Sequence, residues 1–292
     1  MISSAIRDWL QQEAGISIDL STTRSASGGN IHDTSLVEAK DGSLIFIKIN
    51  HRHHIPLFEA EQKCLHWIRE TKTIRAPKPL AVGTIGDHAA LAMEGLQLSS
   101  RADADCQAQL GRKLAELHSV SSPDGQFGAS IDNFIGATPQ PNPWEESWAD
   151  FFVEHRLTYQ LQLAEARCRK FANSSVLLKA VHRYLSGLSI SPSLLHGDLW
   201  GGNASFVPSG EPVIFDPACY FGDREADIAF SRMFGGFGEE FYRAYRESSP
   251  EPEPARESIY NLYHLLNHFN LFGGTYAIQA EEMMRKILKA IA

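Results

Sequence analysis

The residues best able to do chemistry in this 292-residue chain lie in one stretch, His196-Gly197-Asp198-Leu199-Trp200-Gly201-Gly202-Asn203, followed by the apolar run Val213-Ile214-Phe215 that ends in Asp216. Asp198 and Asn203 are five residues apart, and Asp216 follows Asn203 by thirteen. An Asp on a glycine-flanked loop, an Asn one loop-width later and an Asp at a strand end can converge on one point. Phosphoryl transfer to a hydroxyl needs such a set. One carboxylate accepts the proton of the attacking hydroxyl, while a carboxamide and a second carboxylate hold Mg²⁺ on the phosphates of ATP. Asp198 is the candidate base, and Asn203 and Asp216 are the candidate metal ligands. A single Asp or Asn in a Gly-rich turn is ordinarily there to satisfy its own backbone. It is the whole string at its spacing that points to catalysis.

Protein kinases place their catalytic Asp, Asn and metal-binding Asp at the same spacings, in H-R-D-x-x-x-x-N and D-F-G; here the corresponding runs are His196-Gly197-Asp198 and Asp216-Pro217-Ala218. The remaining parts of such a site are sought upstream. Lys48 lies in Ile45-Phe46-Ile47-Lys48-Ile49, where strand alternation puts Phe46 and Lys48 on the same face. A lysine there wants an anion, and an ATP phosphate would serve, with Glu61 on the next helix holding the ammonium. Glu59 falls on another helix face and is the second choice. Exchange of Lys48 for Met is expected to weaken ATP binding and to change stability little. In Ser27-Gly28-Gly29-Asn30, Gly28 and Gly29 are candidates for a phosphate-covering loop, although a plain hairpin turn would read the same. Met93-Glu94-Gly95-Leu96 closes a strand-like run and is the candidate hinge for adenine.

The elements that must position these groups change character along the chain. Residues 2–14 put Ile2, Ile6, Trp9 and Leu10 on one helical face, with Gly15 as a stop. Short strands follow at 16–20, 34–39 and 43–49, the last two joined by an Asp41-Gly42 turn. Pro56 starts a helix carrying Leu57, Cys64, Leu65 and Ile68, and two further strands fall at 80–83 and 88–94. After Leu96 amphipathic helices dominate, at 102–120, 144–168, 174–187, 224–247, 256–271 and 276–291. They are interrupted by a Gly/Pro-rich loop at 121–143 and a strand-like island at 194–216. The expected organisation is an α+β, bilobal fold: a nucleotide-binding lobe over 1–95 with a five-stranded antiparallel sheet, and a mainly helical catalytic and substrate-binding lobe over 96–292.

Composition narrows the function classes. With 43% hydrophobic and 21% charged residues the chain is an ordinary globular one, and its net charge of −8 disfavours nucleic acid or an anionic membrane as the main partner. The four cysteines form no C-x-x-C pair, and the N-terminal residues do not read as a signal peptide, so a cytoplasmic, thiol-reduced protein is expected. His264 and His268 are spaced i, i+4, which suits zinc. Leu265, however, stands where a metalloprotease needs Glu, so packing or substrate contact is the better reading, with His268 the substrate-side candidate.

Over about residues 20–280 the chain resembles the fructosamine kinase (ketosamine-3-kinase) family, a branch of the protein-kinase-like fold close to the aminoglycoside phosphotransferases. The carriers include Phe46-Ile47-Lys48, Phe58-Glu59-Ala60-Glu61, Met93 to Leu96, Asp132-Asn133-Phe134-Ile135-Gly136, His196 to Asn203, Phe215-Asp216-Pro217-Ala218, Arg224-Glu225-Ala226-Asp227 and Asn267 to Gly274. Trp200 is the most specific, and it is the expected wall of a sugar-amine pocket. The resemblance implies an ATP- and Mg²⁺-dependent kinase, with Asp198 as base, Asn203 and Asp216 on Mg²⁺, Lys48 with Glu61 on the phosphates and Met93–Leu96 as hinge. It also implies ketosamine small molecules or glycated proteins as partners. Phosphorylating the C3 hydroxyl of such an adduct makes it a good leaving group, and the adduct then decomposes to free the amine. Gly201 stands where the family often has Ser, and Asp223 where it often has His; both departures bear on substrate preference. Oligomeric state is open, a monomer being the default. The alternatives are another small-molecule hydroxyl kinase of the aminoglycoside or choline kinase type, and a nucleotide-binding pseudokinase.

Overall fold

A computed structural model describes residues 3–26, 32–99, 103–249 and 251–292. The N-terminal part is a five-stranded antiparallel sheet in the order β1-β2-β3-β5-β4, formed by β1 (Ile18–Ser25), β2 (Asp33–Ala39), β3 (Leu44–His51), β4 (Pro79–Ile85) and β5 (His88–Glu94). The Asp41-Gly42 turn joins β2 to β3, with Gly42 at φ 85° where a side chain would be strained.

Alternation along β3 sorts its side chains. Ile45, Ile47 and Ile49 point to one face, where they pack with Ile6 and Leu10 of helix α1 (Ser4–Ala14). Phe46 and Lys48 point to the other, which is covered by helix α2 (Ile55–Thr71). Pro56 sits in the first turn of α2, and the buried stripe Phe58, Glu61, Cys64, Leu65 and Ile68 recurs at helical spacing. Glu61 therefore faces the sheet and Glu59 faces solvent.

Beyond the sheet the chain is mainly helical: α3 (Ala104–His118), α4 (Trp148–Phe152), α5 (Tyr159–Ala166), α6 (Ser174–Ser186), α7 (Glu225–Met233), α8 (Glu239–Tyr245), α9 (Pro254–Phe272) and α10 (Tyr276–Ala290). A core cluster around Phe58, Leu65, Ile68, Leu110, Leu114, Leu199, Ile214 and Phe241 joins the sheet side to the helical side. A second, around Trp148, Phe151, Phe152, Tyr260 and Leu266, fills the helical part.

Three segments differ from the periodicity reading. The helix expected at 144–168 is α4 and α5 joined by a π-helical stretch, Val153–Thr158. That wide turn carries Arg156, fully buried, whose guanidinium donates to the Pro141 carbonyl and Asn142 Oδ1, both at 2.6 Å, and lies 4.2 Å over the Tyr220 ring. The helix expected at 224–247 breaks where Gly235 and Gly236 take φ of 95° and 73°. The loop at 121–143 contains a small hairpin, β6 (Asn133–Ile135) paired with β7 (Thr138–Gln140). The strand-like island resolves into β8 (Ser193–Leu194), β9 (Ala204–Phe206) and β10 (Pro212–Ile214), and β8 pairs with β11 (Phe221–Gly222).

Candidate active site

Lys48 is 4% exposed, and its ammonium lies 2.7 Å from Glu61 Oε1 and 2.7 Å from Asp216 Oδ1. Burial alone would depress the Lys48 pKa, but the two carboxylates outweigh it and the ammonium is held charged. Burial holds the Glu61 carboxyl above the usual carboxylate range in spite of Lys48, helped by the charge of Asp216. Removing Lys48 would strand a buried carboxyl, so the expectation of little change in stability on Lys48→Met is not supported by this geometry.

Asp216 follows β10 with φ 58°, a left-handed conformation uncommon for a residue with a side chain. The Phe215 amide donates to the Asn203 carbonyl at 3.1 Å, which ties the two candidate metal ligands together through the backbone. Asn203 Nδ2 donates to Asp198 Oδ2 at 3.0 Å and to the Asp198 carbonyl at 2.8 Å, leaving Oδ1 of Asn203 free of those bonds. Burial, followed by the charge of Asp216, raises the Asp198 pKa well above the ordinary carboxylate value.

The loop bearing Asp198 is fixed from behind. Buried Asp227, on α7, accepts from the His196 amide at 2.7 Å, the Gly197 amide at 2.9 Å and His118 Nε2 at 3.1 Å. Although burial opposes ionisation of Asp227, these donors hold its pKa below the ordinary value. His196 Nε2 donates to the Phe215 carbonyl at 3.0 Å while Nδ1 accepts from the Asp198 amide at 3.2 Å, which fixes its tautomer. Gly197 has φ 82°, and a Cβ there would stand 2.0 Å from the Ala218 carbonyl oxygen, so no side chain fits.

These groups form the floor of a cavity of about 540 Å³. Lys48, Glu61, Asp198, Asn203 and Asp216 all line it, as do Trp200 and His268. Trp200 is 38% exposed, its indole lies over Gly202, and its ring stands 6.2 Å from Phe234. The aromatic wall continues from Phe234 to His268 at 5.2 Å, then to Tyr276 at 5.1 Å and Phe272 at 5.8 Å. Burial lowers the pKa of His268, whose Nδ1 donates to the His264 carbonyl at 2.7 Å. His264 stacks on Phe230 at 3.6 Å, and burial drives its pKa well below the ordinary value.

Other assigned residues fall elsewhere. Gly28 and Gly29 lie outside the described residues. Met93, Glu94, Gly95 and Leu96 do not line this cavity. Glu94 turns its carboxylate to Arg75 at 2.8 Å; its amide and that of Gly95 already donate to the Lys78 and Leu44 carbonyls. Gly201 faces open space, its nearest neighbour to an added Cβ being 3.9 Å away. Asp223 is buried away from the cavity, accepting from Arg256, Tyr260 and the Glu225 amide, so of the two departures only Gly201 lies on the loop that bears Asp198. Sequence reasoning gave no role to Asp227, to His32, Phe230, Phe234 and Tyr276 on the cavity wall, or to Asn133 and Asn267, whose carboxamides complete it. Asp227, Asn133 and Asn267 lie within motif runs that carry the family resemblance, and that was the signal available.

Comparison with known proteins decides the family. Residues 2–290 match the sequence model described as fructosamine kinase. The chain belongs to the fructosamine kinase family. Among its relatives, a Synechocystis sp. protein named "Probable ketoamine kinase" is 43% identical over 288 residues, covering 97% of this chain and 96% of that one. The rice (Oryza sativa subsp. japonica) protein-ribulosamine 3-kinase, named as chloroplastic, is 39% identical over 297 residues, covering 98% and 84%. A crystal structure of a presumed fructosamine-3-kinase from Haemophilus somnus 129PT superposes with a TM-score of 0.88 at 32% identity, covering 98% and 97%. The aminoglycoside phosphotransferase APH(4)-Ia, at 15% identity and a TM-score of 0.69, shares the fold. The fold is thus the bilobal, protein-kinase-like one, and ATP use belongs to this kinase family. No helix among the described residues is long and apolar enough to cross a membrane.

Proposed function

We propose that this fructosamine kinase relative is an ATP-dependent ketosamine 3-kinase, acting on the C3 hydroxyl of sugar-derived adducts of amines. The observation that carries the reading is the convergence of Lys48, Glu61, Asp198, Asn203 and Asp216 on one cavity floor under an aromatic wall. Relatives named ketoamine kinase and protein-ribulosamine 3-kinase support the same chemistry.

The floor suits Mg²⁺-ATP by its donor set. Asp198, Asn203 and Asp216 gather oxygen donors, and burial together with the nearby charge of Asp216 raises the Asp198 pKa. Such a site favours a hard cation, and Mg²⁺ needs only one or two protein carboxylates when phosphates and water fill its remaining positions. Mg²⁺-ATP, when bound, supplies the transferable phosphoryl group and the countercharge on it.

In this reading Asp198 accepts the proton of the attacking hydroxyl. Lys48, steadied by Glu61, neutralises phosphate oxygens. Asn203 and Asp216 would hold the metal, and Met93–Leu96 with Gly28 and Gly29 stay the sequence's candidates for contact with the rest of the nucleotide. Trp200 and His268 cover the apolar side of the acceptor. The aromatic mouth also argues against a polycationic aminoglycoside, since Phe234, His268, Phe272 and Tyr276 offer no carboxylate to several ammonium groups. The four free thiols, three of them buried, suit a reducing compartment such as the cytoplasm.

A phosphorylation screen over ribulose-, erythrulose- and fructose-lysine, with an aminoglycoside and choline as controls, tests the proposal. ADP formation with a ketosamine and a C3 phosphate in the product are expected. Turnover of a control alone, or none at all, would overturn it.

A further inference from the structure

The Gly/Pro-rich loop singled out in the sequence places Asn133, the first residue of β6, at a junction of three elements. Its side chain lines the cavity yet is only 2% exposed. Asn133 Nδ2 donates to the Cys219 carbonyl at 2.8 Å and approaches Cys64 Sγ at 3.9 Å, while Oδ1 accepts from Gln140 Nε2 at 2.7 Å. Gln140 Oε1 in turn accepts from Tyr263 OH at 2.6 Å. The Cys219 amide donates to Cys64 Sγ at 3.2 Å, closing the junction.

Each partner sits beside a functional group. Cys64 follows Glu61 by three residues, one turn along α2. Cys219 follows Asp216 by three, on the same loop. Tyr263 precedes the cavity-lining His264 on α9. A second tie from α9, Asn267 Nδ2 to the Ile135 carbonyl at 3.4 Å, reaches the same hairpin. Buried carboxamides with their bonds made are held in one orientation, because each lost bond leaves an unpaired polar group in a low-dielectric interior.

We propose that Asn133 is a positioning residue: through it the acceptor side of the cavity sets the placement of Glu61 and Asp216, so that acceptor and nucleotide bind cooperatively. This rests on the ketosamine kinase reading for the identity of the acceptor. An acceptor seated against β6 and α9 braces the hairpin, and the hairpin holds α2 and the Asp216 loop where the phosphates would bind. Linkage makes the effect reciprocal, with coupling of about 5- to 150-fold being typical.

The test is calorimetric titration of AMP-PNP with Mg²⁺, with and without saturating ribulosyl-lysine, on the wild type, Asn133→Ala and Tyr263→Phe, together with melting temperatures. For the wild type, nucleotide affinity should tighten at least about fivefold with acceptor present. Asn133→Ala should bind nucleotide several-fold more weakly and lose the response to acceptor. Tyr263→Phe removes one hydroxyl from a residue that does not line the cavity, and should show the same loss at smaller size even where Asn133→Ala fails to fold. A wild type without coupling, or variants that retain it, would overturn the proposal. So would a rise in acceptor KM alone, which marks Asn133 as a direct acceptor contact. Should wild type neither bind nor phosphorylate any ketosamine, the functional reading fails separately. Nucleotide affinity in the two variants then decides the positioning role: several-fold weakening at an unchanged melting temperature supports it, and wild-type affinity overturns it.

Discussion

The floor and the mouth of the cavity are built on opposite principles. At the floor, the side chains of Lys48 and Glu61 are 5% and 7% exposed, Lys48 is bonded to both Glu61 and Asp216, and Asn203 is bonded to Asp198. At the mouth, Trp200, Phe234 and Phe272 are 38%, 40% and 66% exposed and make ring contacts with one another or with His268. A charged set in a low-dielectric site has one workable geometry, since each misplacement leaves a charge or a dipole unpaired. Aromatic faces tolerate many occupants of similar width. In the function proposed above the chemistry belongs to the floor and acceptor choice to the mouth, and substitutions in the two regions should fail in different ways.

The largest effect is expected at Asp216. Asp216→Ala removes the carboxylate proposed for Mg²⁺ and one of the two partners of Lys48, and turnover should fall below detection. Retention of measurable Mg²⁺-dependent ADP formation in a ketosamine assay would put the metal site elsewhere. Next in size, Asp198→Asn should lower kcat by about 10²–10⁴ with nucleotide affinity nearly intact, the usual range for loss of a positioned base. Wild-type kcat at saturating acceptor would show that another group takes the proton.

Lys48→Met should damage both catalysis and the fold. Stranding one member of a buried ion pair typically costs about 3–5 kcal/mol, and Glu61 can evade part of that by taking up a proton. Its folded pKa is already raised by burial and loses the opposing influence of Lys48 in this variant. A carboxyl with a raised folded pKa favours the folded state below its unfolded value of about 4.3, and that contribution is lost as pH climbs through the folded pKa. The stability deficit should thus be largest at neutral and alkaline pH and shrink toward pH 5. Denaturant titrations across that range check it, and adding Glu61→Leu should recover much of the loss without restoring ATP binding. A deficit independent of pH would mean that Glu61 is not the stranded group.

The same contrast explains what the sequence disclosed. The floor was legible because its residues come in short runs with fixed spacing: alternation put Lys48 on the α2 side of the sheet, and helical periodicity put Glu61, rather than Glu59, on the face that meets it. The five strands were legible for the same reason. The mouth was only partly so. Phe234 lies beyond a glycine-broken helix, and His268, Phe272 and Tyr276 come from two helices whose mutual packing no local pattern encodes. Asn133 and Arg156 were hidden for a further reason: a small hairpin and a π-helical turn are set by buried hydrogen bonds to distant residues, not by the periodicity of their own neighbours.

Trp200→Leu should have the smallest effect and is the sharpest test of the mouth. The indole lies at the cavity edge against Gly202 and Phe234, where a Leu side chain still covers part of the same apolar surface, and the melting temperature should stay near wild type. It lies two residues from Asp198, the base proposed above, and its face could cover the sugar chain or the attached amine. If that amine is protonated, a cation–π contact of ~0.5–2 kcal/mol is at stake, which corresponds to a KM increase of about 2- to 30-fold for the ketosamine. The KM for ATP should not move, because the nucleotide contacts proposed here lie on the floor and along the hinge. Steady-state kinetics with both substrates varied separates these outcomes. A collapse in melting temperature with an unchanged ketosamine KM would make Trp200 a packing residue, and the division between a chemical floor and a selective mouth would lose its main support.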